Sequence, residues 1–148
     1  MLDESFYPLR RISLFLLRIA MGSLFFYAGI TKILDSTWTS AGYLNSAKTL
    51  PTFYQWLASP GILPWVDLIN QWGLTLLGAS LILGLLVRFT APLGALMMLL
   101  YYLPILNFPY VGTHGYIVDQ HIIYIFALLV INSFRASSIF GIDRLLER

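Results

Sequence analysis

The chain contains no cysteine, so it has no disulfide, no thiol redox couple, no thiolate for a metal and no ligand for an iron–sulfur cluster. Any redox chemistry it supports must therefore use a borrowed electron carrier. Histidine is scarce as well: His114 and His121 are the only two, and with His114 in a connecting loop no pair stands at membrane depth to ligate haem. No phosphate loop, no metal-ligand spacing and no Ser-His-Asp order is present, so none of these chemistries is expected. Charge is thin throughout, at 11% of 148 residues against the roughly 25% usual in soluble domains. The nine Lys and Arg are scattered singly or in pairs, and the pI near 9.0 comes from no basic stripe of the kind that grips nucleic acid.

What is abundant is apolar: 58% hydrophobic residues and a mean hydropathy of +0.76, more than a soluble core of this length can hide. The length suits one domain, residues 1–148. Four runs are long enough, or nearly so, to cross a hydrocarbon layer about 30 Å thick: 12–34, 65–87, 89–106 and 116–134, the last two near the short limit. No early apolar segment is followed by a small-residue cleavage site, so the first run is expected to be retained as a helix. Arg88 alone separates the second and third runs, which predicts a tight helical hairpin, with Pro92 in the first turn of span three and Pro104 near its exit.

The expected fold is thus an all-α integral membrane four-helix bundle. Arg10, Arg11, Arg88, Arg135, Arg144 and Arg148 fall on one side, and only Lys32 and Lys48 on the other, which predicts that both termini are cytoplasmic. The long first connection, 35–64, carries Trp38, Tyr43, Phe53, Tyr54 and Trp56. It is expected either to hold a short interfacial helix near 52–58, started by Pro51 and stopped before Pro60-Gly61, or to be an ordinary interfacial loop. The tail, with Ile139, Phe140, Ile142, Leu145 and Leu146, fits a short surface helix or docking segment.

Ionisable groups at membrane depth are costly and mark functional sites by default. On span one, Gly22, Phe25, Gly29 and Lys32 follow Arg18 at offsets of 4, 7, 11 and 14, which place them all within about 40° of Arg18 on a helix. Two glycines on that face predict close approach of a neighbour. Arg18 either takes part in the site or snorkels to the headgroups. His121, Tyr124, Leu128 and Asn132 form a second stripe on span four. The topology gathers Lys32, Asp67, Asn70, Gln71, Tyr101, Asn107, Asp119 and His121 into the outer half. There His121 and Asp119 can pass a proton to or from a carbonyl oxygen, and Lys32 can hold an anion or a developing oxyanion. The plainer alternative is that Asp119 caps its helix and pairs with Lys32 while His121 bonds locally. Asp119 and His121, two apart, point to nearly opposite sides of a helix. Gly73, Gly78, Ser80, Gly84, Ala91 and Ala95 read as close-packing positions.

The segments LLRIAMGSLFFYAGITKI, GLTLLGASLILGLLVRFTAPLGALMMLLYYL and VDQHIIYIFALLVI together resemble the DoxX-like membrane proteins. The aromatic first connection, with Trp38, Gly42-Tyr43, Trp56 and Trp65, is closer to the DoxD branch, the small membrane subunit of thiosulfate:quinone oxidoreductase. The resemblance implies a multi-pass protein of a prokaryotic plasma membrane that works with quinone and with a redox partner. In the thiosulfate system, electrons from thiosulfate at the outer surface pass to quinone and tetrathionate forms. On that reading His121, Lys32 and Asp119 are the candidate catalytic residues. Arg18, Trp65, Asn70, Gln71, Tyr101, Tyr102 and Asn107 are candidates for quinone binding. The competing expectation is a non-catalytic scaffold or anchor for a redox complex, packed through its glycines, and the small-residue faces make a homo-oligomer plausible. A carrier for a small anion or lipid is the third expectation, disfavoured by the lack of an internal repeat.

Overall fold

A computed structural model of the chain describes residues 7–112 and 115–146; His114 and Arg148, and the side chains of Leu145 and Leu146, lie outside the described residues. In chain order the elements are α1 (Tyr7–Leu34), α2 (Ala41–Asn45), α3 (Pro51–Leu57), α4 (Leu63–Leu83), α5 (Val87–Ile105), β1 (Leu106–Asn107), β2 (Tyr110–Val111), β3 (Gly115–Tyr116), α6 (Gln120–Ser133), a 3-10 turn (Ala136–Ser138) and α7 (Asp143–Leu146). The tertiary packing lies on four of them: α1 against α4, α4 against α5, α5 against α6, and α6 back against α1.

Three of these helices, α1, α4 and α5, are long and apolar enough to cross a membrane. The fourth expected span is shorter than its hydropathy implied, because α6 has 14 residues, or about 21 Å. Residues 116–119, read as the start of a helix, are not helical: Tyr116 pairs in a small antiparallel sheet ordered β1-β2-β3, Ile117 turns the chain with φ +47°, and Asp119 is the N-cap. Outward-facing Leu16, Leu76, Leu93 and Phe126 are each more than half exposed, and a lipid or partner surface is needed to cover such a belt.

The face shared by Arg18, Gly22, Phe25, Gly29 and Lys32 does turn inward. A Cβ on Gly29 would run into the backbone nitrogen of Thr75, and one on Gly78 into the backbone of Phe26. The two backbones therefore touch, which only glycine at these crossings permits. Gly84 serves differently. It ends α4 with φ +64°, the left-handed conformation glycine adopts without strain, and turns the chain into α5. Arg88 thus lies inside α5, and Pro92 is the sixth residue of the helix rather than part of its first turn.

The first connection is built rather than loose. Asp35 accepts from the backbone and hydroxyl of Thr37, which turns the chain and holds the Asp35 carboxyl below its usual range. Asp67 on α4 accepts from Thr39 Oγ1 at 2.8 Å, Ser40 N at 2.9 Å and Ser40 Oγ at 2.5 Å, fixing the start of α2. The short helix expected near 52–58 is present as α3, with Pro51 at its first position; α2 is an addition that the sequence did not announce.

Candidate functional site

The end of α5 explains why α2 and α3 lie where they do. Pro104 has no N–H to give the carbonyl four residues earlier, and the last carbonyls of any helix lack partners. The first connection supplies them. Tyr54 Oη donates to Leu100 O at 3.0 Å, Tyr43 Oη donates to Tyr101 O, Lys48 N donates to Pro104 O at 2.8 Å and Thr49 Oγ1 donates to Leu106 O at 2.7 Å. Both tyrosine hydroxyls are shifted upward by burial, that of Tyr43 to about 12, so they stay protonated as donors at neutral pH.

Held in this way, Tyr43 closes one side of a cavity of about 510 Å³, within the roughly 300–1,000 Å³ of small-molecule sites. Its polar lining is Lys32 from α1, Tyr43, Tyr101 from α5, and Gln120, His121 and Tyr124 from α6; Phe25, Leu74 and Met98 complete the walls. Lys32 Nζ donates to Ala28 O in its own helix at 3.1 Å and lies 5.3 Å from the Trp38 ring centroid. Among the described residues it makes no carboxylate contact, so the expected Asp119–Lys32 pair does not form. An ammonium has three donors, and most of this one's capacity is left for the cavity.

Asp119 partners His121 instead. Its side chain caps α6 by accepting from His121 N at 3.0 Å and Ile122 N at 3.3 Å, and its Oδ2 lies 2.5 Å from His121 Nδ1. The argument that residues two apart diverge on a helix fails because Asp119 is extended, at φ −123° and ψ −173°. It can therefore fold back over the first turn. The carboxylate holds Nδ1 and leaves Nε2 as the nitrogen available to the cavity. Tyr101 donates to Asn70 Oδ1, and its ring lies 6.0 Å from that of His121. Asn70 and Asp119 thus hold Tyr101 and His121 without lining the cavity themselves.

The other sequence candidates lie elsewhere. Trp65 is 65% exposed; Tyr102 is turned away, donating to Ile117 O; Asn107 is exposed on β1; and Gln71, whose carbonyl accepts from Thr75, does not line the cavity. Arg18 is at the opposite end and fully buried, so it does not snorkel. Its guanidinium donates to Ala136 O at 2.6 Å, Ile139 O at 3.1 Å and Phe140 O at 3.4 Å, and Phe15 lies beneath it at 5.4 Å. These carbonyls belong to the 3-10 turn after α6 and the residues that follow it; the same part of the chain also bonds back through Ile142 N to Leu83 O and Asp143 N to Gly84 O. Arg18 is therefore the clasp that satisfies an irregular segment. Sequence reasoning missed Tyr43 as a site residue, reading it only as an interfacial aromatic; its acceptor is the backbone carbonyl of Tyr101, which leaves no mark in residue type.

A family model described as DoxX matches residues 13–105, which takes in most of α1, all of α4 and α5, and the connection that carries Tyr43. No curated protein and no solved structure matches the chain.

Proposed function

The chain belongs to the DoxX family of membrane proteins, and from that premise we propose that it is the membrane subunit of a quinone-linked oxidoreductase. Its site is the cavity between Lys32 and His121, and thiosulfate is the first donor to test. The observation that carries this reading is the lining itself: an ammonium with no carboxylate among the described residues, a histidine with one nitrogen tied to Asp119, and aromatic walls from Phe25, Tyr101 and Tyr124. Such a set suits a flat carbonyl compound whose oxygens gain protons and negative charge.

Bound there, a quinone supplies the two-electron carrier that a chain without cysteine lacks. Two thiosulfates yield one tetrathionate and two electrons, and the quinone takes those electrons with two protons to become the quinol. His121 Nε2 would deliver one of the two protons, the other coming from solvent, and Asp119 would keep the ring oriented. Lys32 offsets negative charge at an oxygen. A partner subunit brings the donor within reach.

The same reading places both termini in the cytoplasm of a prokaryotic plasma membrane, with α6 as the fourth crossing. A 14-residue helix is short for that, but non-helical backbone is tolerated at membrane depth where protein satisfies it. Arg18 does this for the carbonyls of Ala136, Ile139 and Phe140.

The test is quinone content and thiosulfate-dependent quinone reduction by the detergent-purified protein, compared with His121→Ala and Lys32→Ala. Co-purified quinone and turnover that falls by about 10² on loss of His121 supports the enzyme. Folded protein with neither quinone nor turnover supports a non-catalytic scaffold for a redox complex.

A further inference from the structure

A second cavity, of about 220 Å³, adjoins the first, between α4 and α5 and beneath α2 and α3. Its walls include Leu44 and Leu57 from the first connection, Val66 and Ile69 from α4, and Met97 and Leu100 from α5, and no charged side chain lines it among the described residues. Apolar cavities of about 150 Å³ already stay dry and take up small apolar molecules. Ile69 is 66% exposed and Leu100 43%, so the rim lies on the apolar outer belt of the bundle. Two residues belong to both cavities, Tyr43 and Tyr101. Their rings meet edge to face with centroids 6.1 Å apart, and Tyr43 Oη donates to Tyr101 O, so these two side chains form the partition. Tyr101 is held from α4 by Asn70, whereas Tyr43 rides on a helix of five residues, which has little stability of its own. Tyr43 is thus the side of the partition that can give way.

We infer that this second cavity receives the isoprenoid tail of a quinone whose ring occupies the Lys32–His121 cavity. The tail site rests on the ring site proposed above and narrows its substrate class to long-tailed membrane quinones. The chemistry of the two spaces divides in the same way as that of such a molecule. Lys32, Gln120 and His121 offer polar groups to ring oxygens, and the aliphatic walls beyond Tyr43 and Tyr101 offer only van der Waals contact to a methyl-branched chain. The tail gains little by leaving lipid, which is as apolar as leucine. It gains by filling a void whose lining atoms lack partners on one side.

Two benzoquinones with the same ring test this on the full-length, detergent-purified protein, one without a tail and one with a short isoprenoid tail that carries a photoactivatable diazirine. The tail-less compound comes first: if it does not bind, the ring site fails and the tail site falls with it. Once it binds, the tailed compound should bind about tenfold tighter. Val66→Phe, which fills the second cavity, should bring that ratio to about one, whereas Lys32→Met should weaken both compounds and preserve the ratio. On irradiation the tail should label Leu57, Val66 or Met97, read by peptide mass spectrometry, and excess tail-less quinone should suppress the labelling. An undiminished ratio in Val66→Phe overturns the tail site and leaves the ring site standing. So does labelling at Leu24, a half-exposed residue on the rim of the ring cavity, which is read on the wild type whether or not Val66→Phe folds. Phosphatidylcholine with a diazirine in its acyl chain separates the two sources of a hydrocarbon chain. Lipid labelling of the same residues that excess tailed quinone leaves unaltered makes a lipid the occupant and overturns the tail.

Discussion

Two cations stand on one face of α1, fourteen residues apart, or about 21 Å, and their surroundings are opposite. Arg18 is fully buried and gives its N–H groups to three backbone carbonyls. Lys32 gives one bond to its own helix and faces a cavity shared with His121 and Tyr101. A buried charge whose terminal nitrogens bond the backbone of a distant segment holds the fold together. One left with spare donors beside open space and a tethered histidine is placed to meet a ligand. The sequence, in which both are single cations on a glycine-lined stripe, does not separate them.

The largest effect should come from pulling this pair apart. Arg18→Met leaves three carbonyls without their donor and should cost about 3 kcal/mol or more, read as a lowered unfolding midpoint. Lys32→Met, at a half-buried group with one local bond, should stay within about 1 kcal/mol of wild type while losing ligand binding. Equal destabilisation by both would erase the distinction.

Asp119→Asn sharpens the comparison within the cavity. Asparagine caps a helix as well as aspartate does, so stability should hold within about 0.5 kcal/mol, but the carboxylate on His121 Nδ1 is gone. Quinone reduction should fall roughly tenfold, part of the ~10²–10⁴ that positioned proton transfer supplies. Steady-state rates and unfolding midpoints on the same preparation check both halves.

Tyr43→Phe should be milder. It removes the donor to Tyr101 O and should cost about 1 kcal/mol, with weaker ligand retention because α2 covers the cavity.

The smallest effect is one of pH. Burial, with the charges of Tyr54 and Asp119 behind it, raises the Tyr43 hydroxyl from 10.0 to about 12, so folding favours its neutral form. That contribution is full below pH 10 and lost as pH rises through about 12. Wild type should therefore lose stability faster than Tyr43→Phe between those values, and the two should run parallel from pH 6 to 9.

Much of this was legible in the sequence, and what was not has physical reasons. The inward face of α1 followed from helical spacing, α3 from Pro51, and the meeting of Lys32, Tyr101 and His121 from the order of the spans. Arg18's role was hidden because its acceptors are backbone carbonyls more than a hundred residues away, and carbonyls leave no mark in residue type. The start of α6 was read too early because Tyr116, Ile117 and Val118 are as apolar in a strand as in a helix, although Asp119 marked the true N-cap. Trp65 and Tyr102 were grouped with the site by their level in the bundle; direction around the helix axis decides, and it turns them outward and toward Ile117.

The most direct measurement is equilibrium binding of a short-chain quinone to Lys32→Met and Arg18→Met, each with its unfolding midpoint. The account predicts affinity at least tenfold weaker with an unchanged midpoint for Lys32→Met, and near wild-type affinity with a lowered midpoint for Arg18→Met. Quinone affinity that survives the loss of Lys32 and follows Arg18 instead would contradict it.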